Sequence, residues 1–434
     1  MGKLLIKNCL LVTMEKDCYD EQESSFLGEI GIEGNEIIHI GKPSTIDKNF
    51  NPSRIIDAKG MIAMPGFINA HTHAAMSLFR GYADDLPLME WLENRIWPLE
   101  AKLTKEDVYW GTKLSVLEML KAGVTTFADM YFFMDEVAKV VVESGIRASL
   151  ARGLTGGDGS GAALKEAADL FHKWHGYDDD RITVMFGPHA PYTCLPEFLG
   201  EIMDEAKKLK AGIHIHLAET RDEIINIKKQ YGKPPVELME YLGLFELPVL
   251  AAHCVHLEPK EIDILGKYNV KVAHNPESNM KLASGVAPVP DFLEKNVIVA
   301  LGTDGPASNN NLELFGEMRM AALLHKVERF DPTAISAYQA LTMATKNGGQ
   351  ALGLTKVGIL KKGYKADLIL VDYNQPHFYP QHNAIAHLVY SAQPGDIKTV
   401  IVNGEILIEQ GRALKMDEEE IYRKAEETFL RIIS

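Results

Sequence analysis

Short apolar stretches alternate with helix-like stretches along this chain, and that alternation constrains its fold more than any other feature. Strands that are buried on both faces appear in a sequence as short continuous apolar runs. Eight such runs can be marked, at residues 62–73, 124–130, 146–154, 182–191, 213–219, 248–257, 270–279 and 297–305. Helix-like stretches such as 105–121, 195–210 and 259–268 lie between them. The pattern predicts an α/β fold, a parallel (β/α)8 barrel of the TIM type.

The polar residues of these runs are concentrated at one end. Each run finishes on its C-terminal side in His, Asp, Glu, Asn or Arg. In a parallel barrel the C-terminal ends of all the strands meet at one mouth, where enzymes of this architecture hold their catalytic groups. A glycine-rich segment, residues 156–161, directly follows the third run and predicts a mobile loop near that mouth. We therefore expect an active site there.

The two ends of the chain have a different pattern. Short strand-like stretches with glycine breaks occupy residues 3–13, 28–41, 366–373 and 397–414. The pair Asn403-Gly404 between two β-branched runs predicts a hairpin. These stretches predict a small β-sandwich domain that is assembled from both chain ends and lies outside the barrel.

Domain boundaries follow from these two patterns. We expect residues 1–61 and 351–434 to form the two parts of the β-domain, and residues 62–350 to form a metal-dependent catalytic barrel. A helix beginning at Glu418 has one apolar face, which would pack on the rest of the protein or contact a second copy. A homo-oligomer is therefore left open.

Charge and cysteine usage exclude several classes of protein. The 45 Lys and Arg against 60 Asp and Glu give a net charge of −15, the wrong sign for binding nucleic acid or an anionic membrane. No apolar run reaches the ~18 residues of a membrane span. The four cysteines, Cys9, Cys18, Cys194 and Cys254, form no C-x-x-C motif, which favours a reducing, cytoplasmic setting without disulfides.

Histidines at the ends of the runs indicate a metal site. His71 and His73 are two apart on a predicted strand, so their side chains share a face and can reach one point. His214 and His216 repeat this spacing, and by spacing alone either could be a third ligand. Asp304 ends the eighth run and could add a carboxylate. Such a nitrogen and oxygen donor set suits zinc, although not zinc alone.

Several strings at these positions together resemble the amidohydrolase superfamily, in its mononuclear branch of aromatic aminohydrolases and chlorohydrolases. The strings are PGFINAHTH, HIHLAET, AHC and GTDG. Residues 73–104 and 187–194 are similar to members of that branch that deaminate 5′-methylthioadenosine and S-adenosylhomocysteine, and residues 307–326 agree with them. The resemblance covers essentially the whole chain. It implies a hydrolase of cyclic amidine C–N bonds that converts adenine nucleosides to inosine-type products and ammonia.

The resemblance also implies a ligand set for the metal. His71, His73, His216 and Asp304 match the family's ligand positions, so one divalent metal is expected, with zinc as the first expectation and iron(II) and manganese(II) as alternatives. By this comparison His214 is a buried histidine of the barrel. Asp304 would also take a proton from the attacking water.

Roles in catalysis and substrate binding are implied in the same way. Glu219 would be the acid/base carboxylate that faces the purine, and His253 would polarise the attacking water; Glu219 and Asp304 would both contact the substrate. Glu100 would accept hydrogen bonds from the ribose hydroxyls, while Arg152 and His189 would line the rest of the pocket.

One departure concerns the carboxylate end of S-adenosylhomocysteine. Some members carry a second arginine about a dozen residues after the first, but here no arginine occurs between Arg152 and Arg181. Specific recognition of the homocysteine carboxylate is therefore not implied. 

Two alternatives to the nucleoside deaminase remain at this stage. A related amidohydrolase could act on guanine, cytosine or a chlorinated triazine with the same metal chemistry, and a non-catalytic scaffold could share the fold. The expected partner is a small-molecule nucleoside, with neither nucleic acid nor membrane involved.

Overall fold

The computed structural model describes residues 2–15, 25–156 and 161–434. Most of the predicted glycine-rich loop, residues 157–160, and Cys18 lie outside the described residues. The predicted fold is confirmed: eight parallel strands form a nearly closed barrel, and segments from both chain ends form a separate mixed sheet.

Seventeen strands make up the two sheets within the described residues. The first five are β1 Lys3–Leu11, β2 Phe26–Glu33, β3 Glu36–Gly41, β4 Arg54–Asp57 and β5 Met61–Pro65. The barrel strands are β6 Phe67–Thr72, β7 Val124–Tyr131, β8 Arg147–Leu154, β9 Ile182–Pro188, β10 Ile213–Leu217, β11 Val249–His253, β12 Lys271–His274 and β13 Val299–Leu301. The last four are β14 Leu368–Asp372, β15 Ile397–Val402, β16 Glu405–Glu409 and β17 Arg412–Ala413.

Helices cover the barrel and part of its mouth. They are α1 Leu88–Trp91, α2 Trp97–Glu100, α3 Lys105–Lys121, α4 Met134–Ser144, α5 Gly161–Trp174, α6 Tyr177–Asp180, α7 Pro196–Leu209, α8 Arg221–Tyr231, α9 Pro235–Leu242, α10 Pro259–Lys267, α11 Pro276–Lys281, α12 Val289–Glu294, α13 Leu314–Arg329, α14 Ala337–Ala344, α15 Lys346–Ala351, α16 Ala384–Tyr390 and α17 Glu418–Ile433. A π-helical turn, Leu92–Ile96, joins α1 to α2. Within the described residues, no helix is long and apolar enough to cross a membrane.

The first apolar run contributes to both sheets. Its first half is β5, which pairs with β1 and β14 in the mixed sheet, and its second half is β6, the first strand of the barrel. The chain changes sheets at Gly66, where a Cβ atom would collide with the side chain of Thr125. Continuous apolar character through this run concealed the change, because both halves are fully buried.

Hydrogen bonds close the barrel between its first and last strands. The backbone N–H groups of Thr303 and Asp304 donate to the His71 carbonyl at 3.1 and 3.0 Å. The Asn69 side chain donates to Thr303 Oγ1 at 2.7 Å and accepts from the Thr303 N–H at 3.0 Å. These bonds bring the end of the eighth strand beside the H-x-H motif of the first.

A buried ion pair joins the barrel to the mixed sheet. Arg147 at the start of β8 donates from Nε to Asp367 Oδ2 at 2.8 Å, and both side chains are almost wholly buried. Asp367 also accepts from the backbone N–H of Asn403 at 2.6 Å. Asn403 and Gly404 form the tight connection between β15 and β16 with φ values of 53° and 76°, so the predicted hairpin is present.

Candidate active site

A cavity of about 760 Å³ opens at the C-terminal mouth of the barrel. Eight residues that the sequence singled out line it: His73, Glu100, Arg152, His189, His216, Glu219, His253 and Asp304. His71, the ninth, is fully buried beside them. The structure thus brings all the predicted site residues together.

Three histidines and one aspartate converge at the buried end of this cavity. One ligand atom from each of His71, His73, His216 and Asp304 lies within 4.8 Å of the other three. Asp304 Oδ1 is 3.4 Å from His71 Nε2 and 3.3 Å from His73 Nε2, while the Nε2 atoms of His73 and His216 are 3.2 Å apart. This is the donor set of a mononuclear metal centre.

The outer ring nitrogens of these histidines are fixed by hydrogen bonds. His73 Nδ1 donates to the Met130 carbonyl at 2.6 Å, and His216 Nδ1 donates to the His189 carbonyl at 2.7 Å. In a neutral ring, the Nε2 atom then carries a lone pair. His71 Nδ1 is 2.8 Å from His214 Nε2, and His71 Nε2 is buried without a hydrogen-bond partner.

Converging lone pairs make this cluster fit a divalent cation. Two imidazole lone pairs 3.2 Å apart and a carboxylate oxygen repel one another unless a positive charge lies between them. Burial lowers the pKa of His71 to about 4 and that of His216 well below its usual range, which keeps both rings neutral. Neutral imidazoles are the form that binds metal.

Two serines orient the carboxylate of Asp304. Ser278 Oγ and Ser308 Oγ donate to its Oδ2 at 2.6 and 2.9 Å, which leaves Oδ1 facing the histidines. Burial opposes ionisation of this carboxyl, yet its close approach to His71 and the neighbouring His253 hold its pKa well below the usual range. Asp304 therefore presents an ionised carboxylate whose Oδ1 faces the three histidines.

An acid/base pair lies next to the cluster. His253 Nδ1 is 2.8 Å from Asn279 Oδ1, and His253 Nε2 is 3.8 Å from Glu219 Oε2. Ser284 Oγ donates to the other Glu219 oxygen at 3.1 Å. Burial raises the pKa of Glu219, while the nearby His253 opposes that shift. A carboxyl with a raised pKa can carry a proton closer to neutral pH.

The backbone beneath Glu219 is held by a second buried carboxylate. Glu223 on α8 accepts from the backbone N–H groups of Ala218 and Glu219 at 2.9 and 2.8 Å. Ala218 has a φ of 53°, in the left-handed region that non-glycine residues seldom adopt. Burial raises the pKa of Glu223 to about 7, although the two amides favour its charged form. Glu223 therefore fixes the backbone from which the Glu219 side chain extends into the cavity.

Left-handed backbone recurs at two other strand ends that supply site residues. His253 has a φ of 72° and Asp304 a φ of 62°. Each lies at or just after the end of a barrel strand, β11 or β13. Such conformations cost of order 1–3 kcal/mol each and persist only where the surroundings enforce them. The barrel thus turns these side chains into the cavity at the expense of local strain.

Glu100 enters the cavity from α2, above the barrel mouth. Its Oε1 accepts a hydrogen bond from the hydroxyl of Tyr131, the last residue of β7, at 2.7 Å. Burial raises the pKa of Glu100, and the Tyr131 hydrogen bond partly offsets this. The second carboxylate oxygen of Glu100 accepts no hydrogen bond from the described residues, so it can accept from a ligand hydroxyl.

Arg152 and His189 occupy the remaining wall. Arg152 Nε donates to Glu166 Oε2 at 2.9 Å, and its guanidinium lies 5.1 Å from the centre of the Phe132 ring. His189 Nδ1 is 3.0 Å from Thr193 Oγ1, and burial lowers the pKa of His189 to about 3. His189 is therefore neutral.

Sequence reasoning missed the residues that hold the predicted ones in place. They are Tyr131, Glu166, Glu223, Ser278, Asn279, Ser284 and Ser308. Glu223 and Asn279 had usable signals, because Glu223 follows Glu219 by four residues and Asn279 ends the seventh apolar run. The others lie on a strand end, helices and loops whose contacts appear only once the barrel is closed.

Residues 62–407 match the amidohydrolase family. The chain therefore belongs to this family, as its fold and its three-histidine, one-aspartate cluster indicate. Among curated relatives, it is 54% identical over its full length to the full length of a 5-methylthioadenosine/S-adenosylhomocysteine deaminase from Pelotomaculum thermopropionicum. It is 57% identical to a protein of the same name from Dictyoglomus thermophilum, over 87% of this chain and 89% of that protein.

Solved structures show the same architecture. An adenosine deaminase from Xanthomonas campestris with bound zinc superposes with a TM-score of 0.94 at 33% identity, over 99% of this chain and 98% of that one. A zinc complex of an atrazine chlorohydrolase from Arthrobacter aurescens superposes with a TM-score of 0.89 at 26% identity, over 98% of this chain and all of that one.

Proposed function

We propose that this protein is a metal-dependent deaminase of adenine nucleosides, with 5′-methylthioadenosine, S-adenosylhomocysteine and adenosine as its substrate class. One observation carries the chemistry: three imidazole nitrogens and the Asp304 carboxylate converge within 4.8 Å, beside the buried Glu219 and His253. The naming of relatives at 54% and 57% identity supports the substrate class.

His71, His73, His216 and Asp304 would hold the metal, which we propose to be zinc because three neutral imidazoles and one carboxylate suit that ion. When bound, a divalent cation of this kind would lower the pKa of water to about 7, which would make hydroxide available at neutral pH. 

Residues of the chain would carry out the proton transfers of the reaction. The Asp304 carboxylate would accept a proton of the attacking water, and protonated Glu219 would deliver a proton to the purine ring nitrogen next to C6. Breaking the aromaticity of that ring makes C6 electrophilic as the oxygen adds. His253, 3.8 Å from Glu219, stabilises the charge on the incoming oxygen.

Glu100 selects nucleosides over free bases in this proposal. Its free oxygen accepts a hydrogen bond from a ribose hydroxyl, while Tyr131 holds the other oxygen at 2.7 Å. The proton that Asp304 took from water would then pass to the amino group, and the hydroxyl on C6 would return a proton to Glu219 as the C6–N bond breaks and ammonia leaves. His189 and Arg152 complete the wall around the nucleoside.

We also expect a cytoplasmic location, in line with the cysteine pattern.

Removal of ligands and of metal tests this proposal. We expect His216→Ala and Asp304→Ala to abolish release of ammonia from 5′-methylthioadenosine, and a chelator to do so reversibly. His172→Ala is a matched control, because His172 is exposed on α5. Full activity of a metal-free preparation would contradict the proposal.

A further inference from the structure

The cavity has a buried end and a solvent end, and Arg152 lies at the solvent end. The side chains of Asp304 and Glu219 are each 8% exposed at the buried end, whereas Glu166, the partner of Arg152, is 64% exposed. A nucleoside with its purine at the metal cluster must point its 5′ substituent away from that cluster. The 5′ substituent therefore extends towards Arg152 and Glu166.

We infer that this end of the cavity selects adenine nucleosides with a neutral 5′ substituent, such as a methylthio group, over those with a terminal carboxylate, because Glu166 already engages Arg152. The inference rests on the proposed function and specifies which member of its substrate class is favoured.

Arg152 already uses two of its five N–H donors, and one of them is Nε, within the described part of the chain. Its Nε donates to Glu166 at 2.9 Å, its Nη1 donates to the Gly153 carbonyl, and its guanidinium covers the Phe132 ring. Tight recognition of a carboxylate by arginine uses two parallel N–H donors. The side-on pair of donors includes Nε, so a substrate carboxylate would have to displace Glu166 to use it.

The charges around the cavity also disfavour an added anion. Among its lining residues in the described part of the chain, Arg152 is the single lysine or arginine. Glu166 lies beside it, and Glu100 lies in the same wall. A substrate carboxylate in contact with Arg152 would therefore also approach Glu166, and like charges at close range repel.

Apolar side chains complete the preference. Leu88, Trp91, Leu92, Trp97, Phe132 and Phe133 line the same cavity. The thioether sulfur is common to the compared substrates, but apolar walls favour a methyl group over a charged group that would lose its hydration. 

The opposite interpretation has a distinct experimental signature. A homocysteine tail carries an ammonium group as well as a carboxylate, so it could bridge Arg152 and Glu166 if the two separated. Neutralising Glu166 would then lower kcat/KM for S-adenosylhomocysteine relative to 5′-methylthioadenosine. Our inference requires the opposite, a relative increase in kcat/KM for S-adenosylhomocysteine.

The test compares three substrates on the metal-loaded enzyme. They are 5′-methylthioadenosine, S-adenosylhomocysteine and a 5′-thioether of adenosine that ends in a carboxylate without an amine. We expect kcat/KM for 5′-methylthioadenosine to exceed that for both carboxylates at least about tenfold. Glu166→Gln should reduce the ratio of kcat/KM for 5′-methylthioadenosine to kcat/KM for each carboxylate substrate by about tenfold. Glu166→Ala should act in the same direction.

Asp169→Asn is the matched control. Asp169 lies on the same helix, pairs with Lys165 at 3.6 Å and does not line the cavity, so its substitution should leave the ratio unchanged. Equal kcat/KM values for the three substrates in the parent enzyme would overturn the inference and leave the proposed function intact. A decrease in kcat/KM for S-adenosylhomocysteine relative to 5′-methylthioadenosine in the Glu166→Gln variant would also overturn the inference and leave the proposed function intact. Absence of deamination of all three would overturn both.

Discussion

Glu223→Gln isolates the contribution of backbone positioning to catalysis. The Glu223 carboxylate accepts the N–H groups of Ala218 and Glu219 at 2.9 and 2.8 Å and does not line the cavity. A glutamine of nearly the same shape keeps one carbonyl acceptor but presents an NH2 donor to the other N–H. The substitution therefore breaks one of the two hydrogen bonds and leaves the proposed contacts to the ribose and the 5′ substituent in place.

The expected size of the effect follows from that single bond. A hydrogen bond to a charged group contributes about 1.5–3 kcal/mol. If the loss falls on the placement of Glu219 in the transition state, kcat decreases about 10- to 150-fold at 1.36 kcal/mol per factor of ten. KM should change less than about threefold, because binding contacts to ribose and the 5′ substituent remain.

Steady-state kinetics and metal analysis together check this prediction. We expect the variant to hold as much metal as the parent enzyme while its kcat falls. Asp222→Asn, an exposed substitution in the same turn of α8, controls for loss of charge at that helix end and should leave kcat unchanged. A kcat for Glu223→Gln within twofold of the parent would refute the reasoning, and so would a loss of metal that parallels the loss of activity.

Three further substitutions test other parts of the structure. His214→Ala removes the partner of His71 Nδ1, so metal affinity should fall about 10- to 100-fold in competition with a chelator, and unchanged affinity would refute this. Glu100→Ala should raise KM for nucleosides while sparing free adenine, and equal losses for both would count against the ribose contact. Asp367→Ala leaves Arg147 buried without its partner and should lower the free energy of unfolding by about 3–5 kcal/mol in urea titrations. A change under ~0.5 kcal/mol there would show that the pair does not stabilise the protein.

Much of the fold could be predicted because barrel strands carry two signals at once, an apolar run and a polar end. The predicted run 124–130 is the strand Val124–Tyr131, and the predicted helix from Glu418 is Glu418–Ile433. The run 62–73 shows the limit of this reasoning. Burial on both faces makes β5 and β6 look alike in sequence, so the transfer between sheets at Gly66 could be found only from strand pairing.

For the candidate site, too, only some of the residues could be predicted from the sequence. Residues at strand ends, such as His71, His73 and Asp304, could be proposed from position, spacing and family resemblance. Spacing alone did not separate His214 from His216. In the structure, His216 joins the cluster while His214 contacts the far side of His71, a difference of depth in the barrel that a two-residue period does not encode.

Residues that act through others carried almost no sequence signal. Ser284, for example, lies beyond α11 and donates to Glu219 Oε1 at 3.1 Å, across 65 positions of sequence. Tyr131 similarly reaches Glu100 only because α2 folds over the mouth of the barrel. Such contacts depend on the packing of loops against strand ends, which local patterns of hydrophobicity do not specify.

A substrate panel tests the central claim most directly. Metal-loaded enzyme is incubated with 5′-methylthioadenosine, S-adenosylhomocysteine, adenosine, guanine, cytosine and a chlorinated triazine, and the ultraviolet shift is followed with ammonia and chloride release. We predict one ammonia per nucleoside converted, an inosine-type product and no chloride. Turnover confined to guanine, cytosine or the triazine would contradict the account, and so would no turnover at all by protein that holds its metal.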